Sequence, residues 1–280
     1  MTPQDLFDLS GKTALVTGGA TGIGAMAAQA LTAAGARVLI ASRKGEACEQ
    51  AAKELNDLGL PGSAEGFAGD VASEAGVAAL ADETLRRAER LHILINNAGR
   101  SWALPLGKFP FDAWDRVMSV NVAGLFSLTQ ALLSRLGETA TDDDPARVIN
   151  IGSVMGEVPM GDDVYSYAAS KAAVHHLTRI LAKELAPRRI TVNALAPGPF
   201  VSRMTAFATA DPASRERVGA RVPLGRVGRP EDIAAAVLYL CGRGGAYVTG
   251  AVLPLSGGMN VETGPPLFAV DDPESEGEAH

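Results

Sequence analysis

The sequence is poor in the features that define several large classes of protein. Its 280 residues hold only 2 cysteines, Cys48 and Cys241, and no apolar run reaches the roughly 20 residues that a membrane-spanning helix requires. Positive charge is also scarce, since the formal net charge is −7 and no extended basic stretch is present. These absences exclude a disulfide-stapled scaffold, and they predict that neither a membrane nor a nucleic acid is the partner.

Targeting signals and metal-ligand patterns are scarce as well. Residues 1–5 lack the anatomy of a signal peptide, so we expect a cytoplasmic protein with two buried, free thiols. The four histidines, His92, His175, His176 and His280, show no zinc spacing, and no Gly-x-Ser-x-Gly segment is present. Of the adjacent histidines, one is expected to pack and the other to lie on the surface. No metal is predicted.

Apolar runs that are typical of buried strands alternate with helical segments along most of the chain. The runs are residues 12–17, 37–41, 91–95, 147–151, 190–194 and 251–255. The helical segments are residues 23–34, 44–58, 73–89, 111–136 and 166–185. Continuous apolar strands that alternate with helices predict a parallel sheet covered on both faces, within one domain at residues 1–260. The acid-rich residues 261–280 are expected to form a solvated tail.

One glycine-rich segment stands between the first predicted strand and the first predicted helix. It reads Thr17-Gly-Gly-Ala-Thr-Gly-Ile-Gly24, in the strand–turn–helix context that a dinucleotide-binding turn requires. Glycines permit the tight turn and the close approach of a pyrophosphate, which meets the amino end of the helix. Taken alone, the segment is also compatible with a glycine-rich turn that binds no ligand. The candidate cofactor contacts here are Gly18, Thr21, Gly22, Ile23 and Gly24.

The end of the second predicted strand indicates which dinucleotide is bound. Folds that bind NAD place a carboxylate about 20 residues after the glycines, where it hydrogen-bonds the ribose 2′-hydroxyl. This chain has Ser42 and Arg43 at that point, and its first acid there is Glu46. A guanidinium binds a 2′-phosphate in a bidentate manner and a hydroxyl donates to it, whereas a carboxylate repels it. The pattern favours NADP(H) over NAD(H), with a merely solvated Arg43 as the alternative.

Tyr167 and Lys171 lie four residues apart in a segment whose apolar residues have helical spacing. Positions i and i+4 share one face of a helix, so the phenol and the ammonium point the same way. A phenol with a pKa of about 10 shuttles protons poorly at neutral pH, and a nearby ammonium is expected to lower that pKa. Such pairs are common by chance. Ser153 distinguishes this pair from a chance one. It follows the fourth apolar run, and parallel sheets bind ligands at the carboxyl ends of their strands, so its hydroxyl is expected to face the ligand.

These residues, taken with several others, carry a family resemblance. Over residues 8–260 the chain resembles the short-chain dehydrogenase/reductase family. The resemblance implies a single-domain Rossmann fold with a doubly wound, seven-stranded parallel sheet. The matching motifs are the glycine segment, Gly69-Asp-Val71, Asn96-Asn-Ala-Gly99, Asn121, Ser153, Tyr167-Ala-Ala-Ser-Lys171 and Asn193-Ala-Leu-Ala-Pro-Gly198.

The resemblance also implies a role for each residue of the site. Tyr167 would be the acid in carbonyl reduction, while Lys171 would hold the nicotinamide ribose and lower the tyrosine pKa. Ser153 would hydrogen-bond the carbonyl, and Asn121 would anchor a water that relays protons to Lys171. The further cofactor contacts that it implies are Asp70 and Val71 at the adenine, Asn97, Ala98 and Gly99 at the adenosine ribose, and Pro197 and Gly198 beside the nicotinamide.

Within the family, several stretches are most similar to the 3-oxoacyl reductases, in particular the type associated with rhamnolipid biosynthesis. They are residues 97–102, 148–154, 181–185 and 202–205. The expected reaction is NADPH-dependent reduction of a 3-oxoacyl thioester or a similar small-molecule carbonyl. Two alternatives stay open, an alcohol or polyol dehydrogenase of the same family and a non-catalytic module that senses NADP(H).

Some features depart from the family pattern or bear on the substrate. The glycine segment has Ala20 and Thr21 where NADP-preferring relatives often have a basic residue, so Arg43 is expected to hold the phosphate nearly alone. Ser153 also precedes Tyr167 by one residue more than is usual. The stretch 199–229, which covers the substrate in this family, is rich in arginines that could attract a phosphate-bearing thioester or could simply be solvated. The acidic segment 141–144 would repel an acidic carrier protein, in spite of a nearby basic Arg188.

The segments 111–136 and 166–185 predict an assembly. They carry more apolar residues than one sheet-facing stripe requires, among them Leu125, Phe126, Leu128, Leu132 and Leu133. A helix that is apolar over more than one face needs a second cover. In the family that this chain resembles, the corresponding helices pair across a two-fold axis, and the last strand lies near another. We therefore expect a homotetramer, with a dimer as the alternative.

Overall fold

Seven parallel strands form the central sheet. The structure, a computed structural model, describes residues 2–161, 163–202 and 204–261. The order across the sheet is β3-β2-β1-β4-β5-β6-β7, and all neighbouring strands are parallel. The predicted doubly wound, seven-stranded Rossmann sheet is confirmed. The strands are β1 (Thr13–Thr17), β2 (Arg37–Ser42), β3 (Ser63–Ala68), β4 (Ile93–Asn96), β5 (Ala146–Ile151), β6 (Ile190–Pro197) and β7 (Val252–Leu255).

Helices cover both faces of this sheet. Successive strand residues point to opposite faces, so neighbours in sequence enter different core layers. In β1, for example, Leu15 belongs to one layer and Val16 to the other. The helices are α1 (Pro3–Phe7), α2 (Gly22–Ala33), α3 (Gly45–Asp57), α4 (Glu74–Arg87), α5 (Asp112–Met118), α6 (Leu125–Ala131), α7 (Leu133–Thr139), α8 (Tyr165–Leu185), α9 (Ala206–Thr209), α10 (Pro212–Gly219) and α11 (Pro230–Cys241).

The third strand is the one that the hydrophobic pattern did not locate. β3 contains Glu65 and Gly66, which are both poor strand formers. A Cβ atom on Gly66 would overlap the backbone carbonyl of Cys48 in α3, so only glycine allows this close approach. The strand therefore depends on its pairing with β2 and on packing against α3 rather than on local propensity.

The predicted helix over residues 111–136 is interrupted once, at Leu132. A π-helical segment, Ser119–Gly124, continues α5 into α6, and the chain then breaks at Leu132 before α7. The axes on either side of that break differ by 52°. π-Helical turns are rare and occur frequently at functional sites, and this one contains Asn121.

Several smaller predictions can be compared with the described residues. Cys48 and Cys241 are buried and free, and His175 is buried while His176 is exposed, as expected. Residues 262–280, which hold most of the predicted acidic tail and His280, lie outside the described residues. Among the described residues no single helix is long and apolar enough to cross a membrane. Only the bent pair around Leu132 meets that criterion when its two parts are combined.

Candidate active site

A cleft opens at the carboxyl ends of the strands, at the point where the strand order reverses between β1 and β4. Its volume is about 450 Å³, within the range of small-molecule sites. The ends of β1, β2, β4, β5 and β6 all contribute to its walls. Ligands of parallel α/β sheets bind at such a reversal, because the loops diverge there and leave a crevice.

The glycine-rich segment lines one side of the cleft. Gly18 and Gly22 have φ angles of 65° and 56°, in the left-handed region that favours glycine. A Cβ atom on Gly18 would lie 2.8 Å from Asn97 Nδ2, and one on Gly22 would lie 3.0 Å from Ser202 Cβ. Since α2 begins at Gly22, the first N–H groups of the helix have no intrahelical partner at this wall. The segment has the form of an anion-binding turn.

Asn97 ties the ends of β1 and β4 together. Its Nδ2 donates to the Thr17 carbonyl at 2.8 Å. The Thr17 hydroxyl in turn accepts the backbone N–H groups of Asn97 and Ala98, both at 3.0 Å. This bonding fixes the loop after β4 directly above the glycine turn.

The predicted cofactor contacts converge on this cleft with one exception. Gly24 does not line it, because a Cβ atom there would overlap Asn97 Nδ2 behind the wall, so this glycine serves close packing. The roles of the others stay predictions. The residues that line the cleft are Gly18, Thr21, Gly22, Ile23, Ser42, Arg43, Asp70, Val71, Asn97, Ala98, Gly99, Tyr167, Lys171, Pro197 and Gly198.

Two cations follow β2 at the edge of the cleft. Ser42, Arg43 and Lys44 succeed one another along its wall, and among the described residues Arg43 is exposed and forms no ion pair. Asp70 follows the neighbouring β3, where its carboxylate accepts the Ala72 N–H at 3.0 Å. Lys44 lies at the same wall, so Arg43 is not the only cation there, and the expectation that Arg43 holds the 2′-phosphate nearly alone stays a prediction.

Ser153, Tyr167 and Lys171 meet at the cleft. α8 carries the last two on one face, with Lys171 Nζ 5.6 Å from the centre of the Tyr167 ring. Ser153 begins the 3₁₀ turn that follows β5, its hydroxyl accepts the Met155 N–H at 3.2 Å, and its side chain lies close enough to the Tyr167 phenol to affect the pKa of that phenol. The longer spacing between Ser153 and Tyr167 therefore does not separate the two side chains.

Burial sets the pKa of both groups on α8. It lowers the pKa of Lys171 to about 8, and Nζ donates to the Ile151 carbonyl at 2.6 Å. It raises the pKa of Tyr167 above the usual phenol value, a rise that the Ser153 side chain opposes. The expected net lowering of the tyrosine pKa is therefore not seen in this structure, where burial raises it. At neutral pH the phenol keeps its proton while the lysine is charged.

Asn121 is buried in the π-helical segment and does not line the cleft. Its Nδ2 donates to the Arg100 carbonyl and to the Ser170 hydroxyl, both at 2.9 Å, and its Oδ1 accepts the Arg100 N–H at 2.8 Å. Both amide hydrogens are thereby used within the protein. The side chain connects the loop after β4 to α8 beside Lys171, and the predicted water relay stays a prediction.

Other residues at the site were not identified from the sequence motifs. Arg100, Ser202 and Thr205 line the cleft, the first directly after Gly99 and the others in the covering stretch. His175 lies behind Ser153, whose backbone N–H donates to its Nε2 at 3.4 Å. The available signal for His175 was its position four residues after Lys171, on the same helical face.

The covering stretch, residues 199–229, is anchored rather than loose. Thr205 donates to the Phe200 carbonyl at 2.6 Å, and Gly228 donates to the Pro199 carbonyl at 2.8 Å. Phe200 is buried, so the stretch has an apolar anchor as well as backbone bonds.

Some arginines of this stretch serve its own structure. Arg226 forms a bidentate pair with Asp232 of α11, with N–O distances of 2.6 and 2.9 Å. Arg215 donates to the carbonyls of Thr209 and Ala210 at 2.8 and 3.3 Å. Arg203 lies outside the described residues. Fewer arginines of this stretch are therefore available to attract a substrate phosphate than the sequence suggested.

Comparison with known proteins places this site in a family. The family model described as enoyl-(acyl carrier protein) reductase matches residues 18–260. The rhamnolipids biosynthesis 3-oxoacyl-[acyl-carrier-protein] reductase of Pseudomonas aeruginosa is 48% identical over 255 residues, which cover 91% of this chain and 98% of that protein. The galactitol 2-dehydrogenase (L-tagatose-forming) of Cereibacter sphaeroides is 37% identical over 262 residues, covering 93% of this chain and 100% of that one.

The chain belongs to the short-chain dehydrogenase/reductase family of oxidoreductases. A solved structure described as the Pseudomonas aeruginosa RhlG/NADP active-site complex shares its fold with a TM-score of 0.88 and 48% identity. That likeness covers 93% of this chain and 100% of that one. The resemblance inferred from the motifs, including the similarity to the rhamnolipid type of 3-oxoacyl reductase, is confirmed.

Proposed function

We propose that the protein reduces a 3-oxoacyl thioester to the 3-hydroxyacyl thioester and uses NADPH as the hydride donor. The observation that carries this proposal is the meeting of Ser153, Tyr167 and Lys171 in the cleft beside the glycine turn. A phenol that keeps its proton, a neighbouring hydroxyl and a buried cation are the groups that carbonyl reduction requires. The 48% identity to a 3-oxoacyl-[acyl-carrier-protein] reductase supports an acyl thioester as the substrate.

The glycine side of the cleft fits NADP(H). Side chains on Gly18 or Gly22 would crowd Asn97 or Ser202, so a bare backbone is retained where a pyrophosphate would approach. Ser42, Arg43 and Lys44 would hold the 2′-phosphate through charge-assisted hydrogen bonds. The remaining contacts are assigned as the sequence predicts, with Asp70 and Val71 at the adenine, Asn97, Ala98 and Gly99 at the adenosine ribose, and Pro197, Gly198, Tyr167 and Lys171 around the nicotinamide ribose and ring.

The residues of the site divide the proton chemistry among themselves. NADPH, when bound, supplies a hydride to the carbonyl carbon. The Ser153 hydroxyl donates a hydrogen bond to the carbonyl oxygen, and Tyr167 transfers its phenolic proton to that oxygen and becomes a phenolate. The Lys171 ammonium stabilises the phenolate in a buried setting, where charge interactions are strong. A proton from solvent then restores Tyr167, with Asn121 holding the segments that this path would follow.

The oxidative direction is the second candidate. The 37% identity to a galactitol 2-dehydrogenase favours a polyol or secondary alcohol, and the same residues would act with Tyr167 as the base. In this direction Tyr167, whose pKa is raised by burial, must first lose its proton. A sensor that binds NADP(H) without turnover would have no use for Ser153, Tyr167 and Lys171 placed together in the cleft.

One assay separates these functions. NADPH consumption is measured with 3-oxoacyl-CoA and 3-oxoacyl carrier-protein thioesters, simple ketones and keto sugars, and NADP⁺ reduction with the matching alcohols and polyols. The proposal predicts the highest kcat/KM for a 3-oxoacyl thioester. A polyol as the best substrate would support the second candidate, and binding without any turnover would support the sensor.

We further propose a cytoplasmic homotetramer. Fewer apolar side chains are left for a contact between subunits than the sequence suggested, because Leu125, Leu128 and Leu132 are buried within one chain. Support comes from the edge strand β7, whose residues are only partly buried, and from apolar side chains that remain exposed. Those side chains are Phe111, Trp114, Phe126, Ile180 and Tyr247. Light scattering should give four chains per particle at micromolar concentration, and a fully active monomer would contradict the assembly.

A further inference from the structure

The imidazole of His175 lies directly behind Ser153, and the proton chemistry above does not use it. Its side chain is 4% exposed and lies on the face of α8 that carries Tyr167 and Lys171. The Ser153 backbone N–H donates to His175 Nε2 at 3.4 Å. The three α8 residues, each four positions after the last, therefore lie in one row beneath the end of β5.

Two glycines leave room for this ring. A Cβ atom on Gly152 would overlap His175 Nε2, and one on Gly156 would lie 2.9 Å from Cε1. Gly152 directly precedes Ser153, and Gly156 ends the 3₁₀ turn that Ser153 begins. The ring is thus in contact with the backbone on both sides of the serine, and any change in its shape or bonding acts on that backbone.

The bonding of the ring identifies its tautomer. Because Nε2 accepts a hydrogen bond, its lone pair points at Ser153 and the ring proton is on Nδ1. Among the described residues Nδ1 is buried and has no hydrogen-bond partner, and Glu157 Oε1 is 3.8 Å away. An unpartnered buried N–H is destabilising, and leucine would fill the space without it. Packing alone therefore does not account for a histidine at this position.

The ring also keeps the same form at neutral pH. Burial, with the charges of Lys171 and Arg179, lowers the pKa of His175 to about 4. A neutral ring leaves Nε2 free to accept, whereas protonation would present a second donor to the Ser153 N–H. The acceptor is consequently present throughout the pH range in which the phenol and ammonium of the site work.

We propose that His175 is a positioning residue for Ser153, holding the serine backbone through Nε2 and so fixing the direction in which the serine hydroxyl meets the substrate carbonyl. This role rests on the proposed function, which gives Ser153 its contact with the carbonyl. Small displacements of groups that orient a substrate reduce the rate far more than they reduce binding. The expected signature is therefore a loss in kcat with little change in cofactor affinity.

The test compares His175→Leu with His175→Gln. Leucine fills the space without an acceptor, whereas glutamine offers an amide oxygen at a similar reach. We expect kcat to fall about 10-fold to 100-fold in His175→Leu, and His175→Gln to stay within about threefold of wild type. The dissociation constant of NADPH, measured by fluorescence, should stay unchanged in both. The neighbouring, exposed His176 supplies the control, since His176→Leu should have wild-type kinetics.

A double-mutant cycle separates positioning from general damage. If His175 acts through the serine hydroxyl, His175→Leu should have almost no further effect on kcat in a Ser153→Ala background. Amide hydrogen exchange of residues 152–155 should be faster in His175→Leu than in His175→Gln. Wild-type kcat in His175→Leu would overturn the proposal, as would an equal loss in the Ser153→Ala background or no rescue by glutamine.

These outcomes stay distinct from a failure of the proposed function. In that case wild type would not turn over 3-oxoacyl thioesters, and the same cycle would be measured with the carbonyl or alcohol that it does turn over. If His175→Leu does not fold, the amide exchange of residues 152–155 is compared between His175→Gln and His175→Asn instead. Slow exchange in glutamine together with fast exchange in asparagine supports the role of Nε2, and equal exchange in both overturns it.

Discussion

The two sides of the cleft are constructed differently. The cofactor side consists mainly of backbone, with Gly18 and Gly22 in the left-handed region and the loop after β4 fixed by Asn97. The other side, which we propose binds the substrate, includes residues 199–229, and these are held by side-chain contacts such as Arg226 with Asp232. Backbone geometry demands particular residue types at particular spacings, whereas side-chain anchors have many solutions. The first side is therefore recognisable from sequence motifs, whereas the second side is not.

Ser153, Tyr167 and Lys171 lie where these two sides meet. They depend on β5 and α8, and not on the covering stretch. Substitutions should consequently separate into three groups, with effects on turnover alone, on the cofactor alone and on the substrate alone. Lys171 is the exception, because it would serve both the cofactor and Tyr167. Any other substitution that affects two of these properties would show that the two sides of the cleft are coupled.

The largest effect is expected from Tyr167→Phe. The phenyl ring keeps its packing and its position near Lys171 Nζ but loses the transferable proton. General acid catalysis contributes about 10²–10⁴-fold, so kcat should fall by that factor while the dissociation constant of NADPH stays near wild type. Steady-state kinetics with a fluorescence titration measure both. Turnover within about threefold of wild type would remove Tyr167 from the mechanism.

Lys171 should impose the alkaline limit on reduction. Its pKa of about 8 means that the ammonium is present below that pH and is lost as the pH rises through it. Because the ammonium stabilises the phenolate, kcat/KM should fall about tenfold per unit above that pH. A pH–rate profile measures this fall in kcat/KM. In Lys171→Arg the fall should begin at a higher pH, because a guanidinium stays charged. A profile that stays flat up to pH 10 would contradict the role given to the Lys171 ammonium. Lys171→Met, which has no charge at any pH, should weaken both NADPH binding and turnover.

Arg43→Ala should affect the cofactor side alone. A charge-assisted contact with a phosphate contributes about 1.5–3 kcal/mol, so the KM for NADPH should rise by at least about tenfold. The KM for NADH should hardly change. Lys44→Ala is the matched comparison and should have a smaller effect of the same kind. Equal losses with both cofactors would mean that Arg43 does not contact the 2′-phosphate.

The smallest effect is expected at the base of the covering stretch. Asp232→Asn removes the charge that Arg226 faces but keeps an acceptor for the Arg229 N–H, which now donates to the carboxylate at 2.7 Å. Partly exposed ion pairs contribute up to about 1 kcal/mol, so the KM of the carbonyl substrate should rise at most about fivefold. The dissociation constant of NADPH should not change. A larger effect on NADPH than on the substrate would show that the stretch also holds the cofactor.

The sequence predicted more of the cofactor side than of the substrate side for physical reasons. Glycine turns, apolar strands and the i, i+4 pair on α8 follow from local rules, and each lies where it was expected. β3, with Glu65 and Gly66, needed its neighbours in the sheet, and no local pattern predicted the π-helical segment or the break at Leu132.

The electrostatics of the site were harder to predict than its geometry. The raised pKa of Tyr167 follows from burial, which depends on the whole fold, whereas the sequence showed only a nearby lysine. The contact of His175 with the Ser153 backbone likewise requires two elements that are distant in sequence. Spacing therefore predicted which groups meet, and tertiary structure determined their protonation.

The most direct test of the proposed reaction follows the hydride itself. The enzyme is incubated with a 3-oxoacyl thioester and NADPH that carries deuterium at both C4 positions, and the product is analysed by mass spectrometry. The account predicts a 3-hydroxyacyl thioester with one deuterium on C3, formed by wild type and nearly absent with Tyr167→Phe. A product without deuterium, or labelled product formed equally fast by Tyr167→Phe, would contradict it.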